Sequence, residues 1–368
     1  MSDTPFNIKN AVVLITGGTG FLGGRLAEEL MDKDFVNTLV LGGRRIKDEN
    51  RINHPKIRYE LGDLKDEEYL DRLFEEYNFD FVVNCVSKTA IWGPYSSFFE
   101  ENVKTQRLLL EKSSAGGVKR FIYISSPAVY FNFKNQLGIT EGSPLPRQFA
   151  NNYALTKYES EQLLKDYDVP YIIIRPRAYT GRGDTVMMPK VIEAARNNKL
   201  KIIGDGKNVV DICPVANIVD SIVLSMLAPE KSCNQAYNIG YGRPIEIWPV
   251  ISNILHKLGY PVPTKKIPLW LVYPLVTFIE WVYSTLKLKG EPRFTRYSIA
   301  SLAGSVTFDI SLARKNLGFV PRMTIEEATD EFVAWHLNLT REDILEQNEK
   351  EQKIAGNGQS METGDMHA

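Results

Sequence analysis

The chain predicts an α/β fold, a doubly wound parallel sheet followed by a smaller C-terminal lobe. Three observations carry that prediction. Apolar runs of strand length alternate with amphipathic stretches through roughly the first half. The earliest run, Ala11–Thr16, feeds a glycine-rich turn that opens a helix. Beyond about residue 180 the alternation stops, and glycine and proline become frequent, as in GRGD, GDG and IGYGRP. Strands joined by helical crossovers pair in parallel, and the helices then cover both faces of the sheet.

The expected strands are Ala11–Thr16, Thr38–Leu41, Phe81–Val86, Phe121–Ser125 and Tyr171–Arg175, with one more ending before Asp63. Helical patterns fall between them at Glu67–Tyr77, Glu100–Ser113 and Leu155–Lys165. Ligands of such sheets sit beyond the carboxyl ends of the strands. The expected organisation is a nucleotide-binding domain over 1–180, a substrate-binding lobe over 181–340 interleaved with the last sheet elements, and a polar, disordered tail over 341–368.

The turn itself, TGGTGFLG (Thr16–Gly23), sets Gly17, Gly20 and Gly23 three residues apart. Missing side chains let the backbone turn sharply, approach a pyrophosphate, and pack the next helix on the sheet. The helix N-terminus then offers unpaired N–H groups and a partial positive charge. With Leu26 and Leu30 giving that helix an apolar face, the turn reads as a dinucleotide cradle lined by Gly17, Thr19, Gly20, Phe21, Leu22 and Gly23.

An acid at the end of the second strand would hold the ribose 2′-hydroxyl of NAD, whereas a 2′-phosphate needs a cation. Here the strand runs into Arg44 and Arg45, with no acid before Asp48. Arginine grips phosphate with paired hydrogen bonds, so NADP(H) is preferred, with NAD(H) as the alternative. The plain reading of both arginines is a solvated surface. Asp63 and Leu64 are expected at the adenine, although Asp63 also suits a helix N-cap.

A tyrosine four residues before a lysine on one helix face puts phenol and ammonium side by side. The cation stabilises phenolate and lowers the tyrosine pKa toward working pH. The spacing occurs three times, at Tyr130/Lys134, Tyr153/Lys157 and Tyr283/Lys287. Only Tyr153/Lys157 opens an amphipathic helix directly before a buried strand, and it is the expected catalytic pair. A redox role requires the Lys157 amine to sit by the Tyr153 hydroxyl. Ser126, leaving the strand in YISSPAVY, is placed to hold a substrate oxygen or to serve as a turn residue. Asn102 is expected either to anchor a water path to Lys157 or to bond its own helix backbone.

Composition narrows the classes. A net charge of -1 gives no reason to expect nucleic acid. Three scattered cysteines (Cys85, Cys213, Cys233) and four histidines without ligand spacing predict neither disulfide framework nor metal centre. With no apolar signal sequence, a reducing cytoplasm is the expected location. The segment Ile267–Leu288 approaches membrane-span length, but Pro268, Pro274 and Glu280 interrupt it. A bent, mostly buried helix pair is one reading. A greasy lid in peripheral contact with a membrane surface is the other.

Taken together, TGGTGFLG, GDL (Gly62–Leu64), ENVKTQ, SSPAVY, YALTK and RPRAYTGRGD (Arg175–Asp184) resemble the extended short-chain dehydrogenase/reductase family, over about Ala11 to Trp335. Further segments are similar to its 3β-hydroxysteroid dehydrogenase branch, including bacterial reductases of 2-alkyl-3-oxoalkanoates. These are SKTAIWGPY, KLKIIGDGKNVVD, KGEPRFTRY and TFDISLARKNLGF. The resemblance implies a Rossmann-type sheet and hydride-linked proton transfer by Ser126, Tyr153 and Lys157. It also implies cofactor contact by Tyr153, Lys157 and Pro176, and interconversion of a secondary alcohol and a ketone. Lys88, Trp92, Arg177 and Arg296 are the candidate substrate residues. The two arginines are counter-ions for a carboxylate or, alternatively, members of structural ion pairs. Aromatic residues including Trp92, Trp270 and Trp281 predict a bulky hydrophobic substrate. The chain departs from the family pattern at Lys88 and at Cys213–Ala216. A nucleotide-sugar epimerase or dehydratase with tightly bound NAD is the rival, a non-catalytic cofactor sensor the more distant one, and a homodimer is possible.

Overall fold

Seven parallel strands form the central sheet: β1 (Ala11–Thr16), β2 (Val36–Gly43), β3 (Ile57–Leu61), β4 (Phe81–Asn84), β5 (Arg120–Ile124), β6 (Tyr171–Pro176) and β7 (Gln235–Ile239). Their order is β7-β6-β5-β4-β1-β2-β3, every pairing parallel. The computed structural model describes residues 6–46, 51–185, 187–288 and 290–338. The expected tail over 341–368 therefore lies outside the described residues.

The central strands are apolar on both faces because helices cover both: every residue of β4, β5 and β6 is buried. One apolar layer packs Leu26, Leu30, Ile218 and Ile222 against the sheet, and the other packs Leu70, Leu73, Leu109 and Leu164. Chain order reverses between β1 and β4, which opens the crevice where such sheets bind ligands. β7 was not among the expected strands. Its sequence QAYNI carries Gln235 and Asn238 among five residues, and burial against β6 rather than intrinsic apolarity keeps it in the sheet.

The later chain serves both parts of the molecule. Helix Val215–Leu227 packs on helix Phe21–Met31, while Met188–Arg196, Ile247–Lys257 and residues 325–338 gather around Ile192, Trp248, Leu255 and Phe332. A small sheet runs Ile245–Glu246, Val209–Val210, Val306–Phe308, Gln136–Ile139. Ion pairs from Arg25 to Glu28 and Glu331, and from Arg182 to the same two carboxylates, tie the first helix to this later chain.

The reading of Ile267–Leu288 as a mostly buried helix pair is corrected. It is a single helix, Leu269–Thr285, with Pro268 as N-cap and Pro274 inside. Only Val276 and Glu280 of it are buried, because protein covers one of its two apolar faces. Among the described residues no helix is long and apolar enough to cross a membrane.

Candidate active site

At the carboxyl ends of β1, β2 and β4 lies a cleft of ≈ 440 Å³. Gly17, Thr19, Gly20, Phe21, Leu22 and Gly23 line one wall, and Arg44, Arg45, Asp63 and Leu64 line another. Gly17 has φ +70°, the left-handed region that glycine tolerates. A Cβ at Gly23 would stand 2.3 Å from the Gly17 carbonyl oxygen, so the helix and turn pack with no room for a side chain. The helix begins at Phe21 with no side-chain cap and no acid in its first turn. Its free N–H groups therefore face the cleft without competition, which fits a dinucleotide pyrophosphate.

Arg44 and Arg45 are exposed at the rim; Arg44 stands 3.7 Å from Glu101, which also holds Lys65 at 2.9 Å. Asp63 accepts the backbone N–H of Lys65, while the N-cap of the next helix is Asp66, not Asp63. Pro176 ends β6 opposite Ile239, outside the lining of the cleft. Sequence reasoning missed Cys85, Thr89 and Tyr179, which do line it. Cys85 and Thr89 belong to the loop after β4 and Tyr179 to a two-residue strand, Tyr179–Thr180, and no local spacing marks them.

Helix Asn152–Leu163 carries Tyr153 and Lys157 one turn apart. Asn151 caps it, its side chain accepting from the Ala154 N–H at 2.9 Å. The Ser126 hydroxyl caps the short helical turn Pro127–Tyr130, the turn role expected of it, and it also lies against the Tyr153 phenol. Tyr153 interacts electrostatically with Tyr297 and with Tyr179.

The expected acidification of Tyr153 by Lys157 is not what the structure shows. The Lys157 amine is 1 % exposed, donates to the Ile124 carbonyl at 2.6 Å and lies 4.2 Å from the centre of the Tyr123 ring. Burial draws its pKa down to about 7, opposed by Glu161 and Cys85. Burial likewise pushes the Tyr153 phenol up to about 12, opposed by the Ser126 hydrogen bond, with no contribution from Lys157. At neutral pH the phenol is protonated, a proton donor rather than a base.

Asn102 sits in a π-helical turn, Phe99–Lys104, and its side chain bonds outside that turn, which corrects the alternative that it bonds its own helix backbone. Its Nδ2 donates to Thr156 Oγ1 at 3.0 Å, and its Oδ1 accepts from the Lys88 N–H at 2.7 Å and the Ser87 hydroxyl at 3.2 Å. Asn102 thus clamps the Tyr153 helix to the loop after β4. Wide turns of this kind recur where a side chain must be re-aimed.

A second cavity of ≈ 270 Å³ is lined by Ile91, Trp92, Phe98, Phe133, Glu280, Arg296 and Tyr297. Trp92 meets Tyr283 edge-on at 6.4 Å. Lys88 is turned away, donating to Ser97 and lying over the Phe98 ring. Arg296 is neutralised, its Nε and backbone N–H each 2.6 Å from Glu280. Arg177 is not: its guanidinium lies 6.0 Å from the Phe308 ring, its Nε is buried without a partner, and no ion pair reaches it among the described residues. Burial lowers its pKa, with Tyr297 and Asp211 opposing. The lone carboxylate of the apolar 267–288 segment was the available signal for Glu280 as a cavity residue. Tyr297 carried none.

The model of the NAD dependent epimerase/dehydratase family matches residues 13–240. The chain is 30% identical over 329 residues to the 2-alkyl-3-oxoalkanoate reductase of Stenotrophomonas maltophilia, spanning 86% of this chain and 96% of that one. It is 29% identical to the mouse (Mus musculus) sterol-4-alpha-carboxylate 3-dehydrogenase, decarboxylating, spanning 87% and 89%. Among solved structures, gox2253 superimposes with a TM-score of 0.73 at 24% identity, covering 90% and 99%. The UDP-glucuronic acid 4-epimerase of Bacillus cereus, in complex with NAD, gives 0.69 at 19%, covering 89% and 99%. These two likenesses speak for the fold. The chain belongs to the NAD-dependent epimerase/dehydratase family, the extended short-chain dehydrogenase/reductases, as an oxidoreductase of the 3β-hydroxysteroid dehydrogenase-like branch.

Proposed function

We propose that this enzyme reduces the ketone of a hydrophobic 3-oxo acid to a secondary alcohol, with NADPH as the preferred cofactor. The observation that carries the reading is Tyr153 at the start of its helix, beside Ser126 and one turn from Lys157, with its neighbour Asn152 lining the Trp92 cavity. When bound, the dinucleotide supplies the hydride. Tyr153 gives the proton that the reduced oxygen needs, and Ser126 orients that oxygen. Reduction needs a protonated phenol rather than a phenolate, so it does not depend on the condition set by the sequence, a Lys157 amine beside Tyr153; that amine donates to the Ile124 carbonyl instead.

Arg44 and Arg45, with no acid between them and the strand end, support a 2′-phosphate. Arg177 supports a substrate carboxylate, since it is half-buried, its Nε has no hydrogen-bond partner, and an incoming anion would satisfy it. The names of the relatives agree, both describing carboxylate-bearing substrates.

NADPH absorbance followed with 2-alkyl-3-oxoalkanoates tests the reading. Tyr153→Phe is expected to lose about 10²–10⁴-fold in turnover while NADPH binding, read by fluorescence, holds. Titrating NADPH and NADH in parallel is expected to favour NADPH. Wild-type-like turnover by the phenylalanine variant overturns the assignment of Tyr153. Epimerisation of a nucleotide sugar without net NADPH consumption overturns the reaction.

A further inference from the structure

Helix Leu269–Thr285 is apolar on both faces, yet only one meets protein. Trp270, Leu271, Leu275, Phe278 and Trp281 stand 55% to 76% exposed, spaced three and four residues apart along the outward face. That face carries no charge. The single carboxylate of the helix, Glu280, is turned inward and held by Arg296. Cations stand at both ends instead. Lys265 and Lys266 precede the helix and Lys287 follows it, all exposed. The strand pairing of Lys266–Ile267 with Ile202–Ile203 brings Lys201 beside Lys265, where both line one surface depression. The chain as a whole has a net charge of -1, so this cationic border is local to the helix.

We propose that this face docks on an anionic bilayer surface, with the helix lying in the plane of the membrane. An uncharged face with two tryptophans, bordered by lysines, matches the boundary between acyl chains and anionic headgroups. A second copy is a poorer complement. A twofold interface sets one patch against itself, so the lysine borders would confront each other across an apolar centre. Seventeen residues make about 25 Å of helix, enough to lie along the interface. The inward face of the same helix supplies Glu280 and Ser284 to the Trp92 cavity, so docking sets that cavity wall at the lipid boundary. Entry of substrate from the lipid side rests on the hydrophobic-substrate reading above; the docking itself does not.

Co-sedimentation of the full chain with phosphatidylcholine vesicles, with and without phosphatidylserine, tests it. Binding is expected to the serine-lipid vesicles, weaker to phosphatidylcholine alone, and to fall as salt rises. The triple variant Trp270→Ser, Phe278→Ser, Trp281→Ser is expected to lose at least tenfold in partitioning. Lys265→Gln with Lys287→Gln is expected to lose about fivefold for each cation removed, and this surface pair leaves the fold untouched. NADPH binding, remote from the helix, verifies that every variant is folded. The proposal is overturned if wild type ignores serine-lipid vesicles, or if both variants partition like wild type. It is overturned equally if sedimentation velocity shows a wild-type dimer that the apolar variant dissolves. None of these outcomes bears on ketone reduction, which is read separately with water-soluble substrates.

Discussion

The glycine-turn cleft, the proposed cofactor side, and the Trp92 cavity, the proposed substrate side, are built by different means. Walls of the cleft come from short stretches at the ends of neighbouring strands, 17–23, 43–45, 62–64 and 85–89, and five of its lining residues are glycines, which offer only backbone. The Trp92 cavity is assembled from residues around 92, 133, 151, 280 and 296, far apart in the chain. Side chains hold it: Trp92 on Tyr283, Asn152 on the Gly93 carbonyl, Glu280 on Arg296. A backbone-built cradle has little freedom to change. A cavity closed by side chains can be reshaped one residue at a time, in keeping with a family described as NAD dependent whose members' names differ in substrate.

The sharpest way to break that contrast is to add atoms to the cradle. At Gly23 a Cβ would meet the Gly17 carbonyl at 2.3 Å for oxygen and 2.8 Å for carbon, and neither can yield without moving the turn. Gly23→Val is therefore expected to abolish measurable NADPH binding by calorimetry and to cost about 1–3 kcal/mol in urea unfolding. A variant that binds NADPH within tenfold of wild type would show that the cradle is as adaptable as the cavity.

A smaller effect is expected on the substrate side, from two arginines that look alike in sequence. Arg177→Met keeps the packing on Phe308 and removes a half-buried cation whose Nε lacks a partner. The expectation is a rise in KM of about 10–100-fold for 3-oxo acids, from a lost charged hydrogen bond of about 1.5–3 kcal/mol, with ketones lacking the carboxylate unaffected. Arg296→Met instead strands Glu280, and its cost should appear in stability. Equal rises in KM for acid and plain ketone would assign Arg177 to packing.

Local features of both sides were legible in the sequence, because spacing along one strand or one helix decides them. The turn after β1 and the shared helix of Tyr153 and Lys157 are of this kind. What stayed hidden depends on distant partners. Glu161 sits one turn beyond Lys157, buried, pairing with Arg175 of β6 while Ser125 donates to it, and nothing at residue 161 forecasts that pair. The π-turn that re-aims Asn102 toward Thr156 has no spacing signature either. The outward face of Leu269–Thr285 was misjudged for a related reason. Apolarity says that a face seeks cover, and only the packing shows whether protein supplies it.

Lys157 lies buried beside the end of β5, lining neither cavity, and its titration is the finest probe of the site. An unfolded lysine titrates near 10.5, whereas burial holds the native amine at about 7. Below pH 7 both states are protonated and the whole burial penalty weighs on the fold. Between pH 7 and 10.5 the unfolded chain keeps a proton that the native amine has released, so stability contributed by this group rises with pH. The slope is at most about 1.4 kcal/mol per pH unit for one proton. Lys157→Met has no such group. Urea unfolding at pH 7.5, 8.5 and 9.5 should therefore show the wild type gaining on the variant at each step. A constant difference between them would mean that the native amine stays charged through this range. Lys157 would then stand beside Tyr153 as a fixed cation, as the four-residue spacing led one to expect, and the Ile124 carbonyl would not be enough to explain its place in the site.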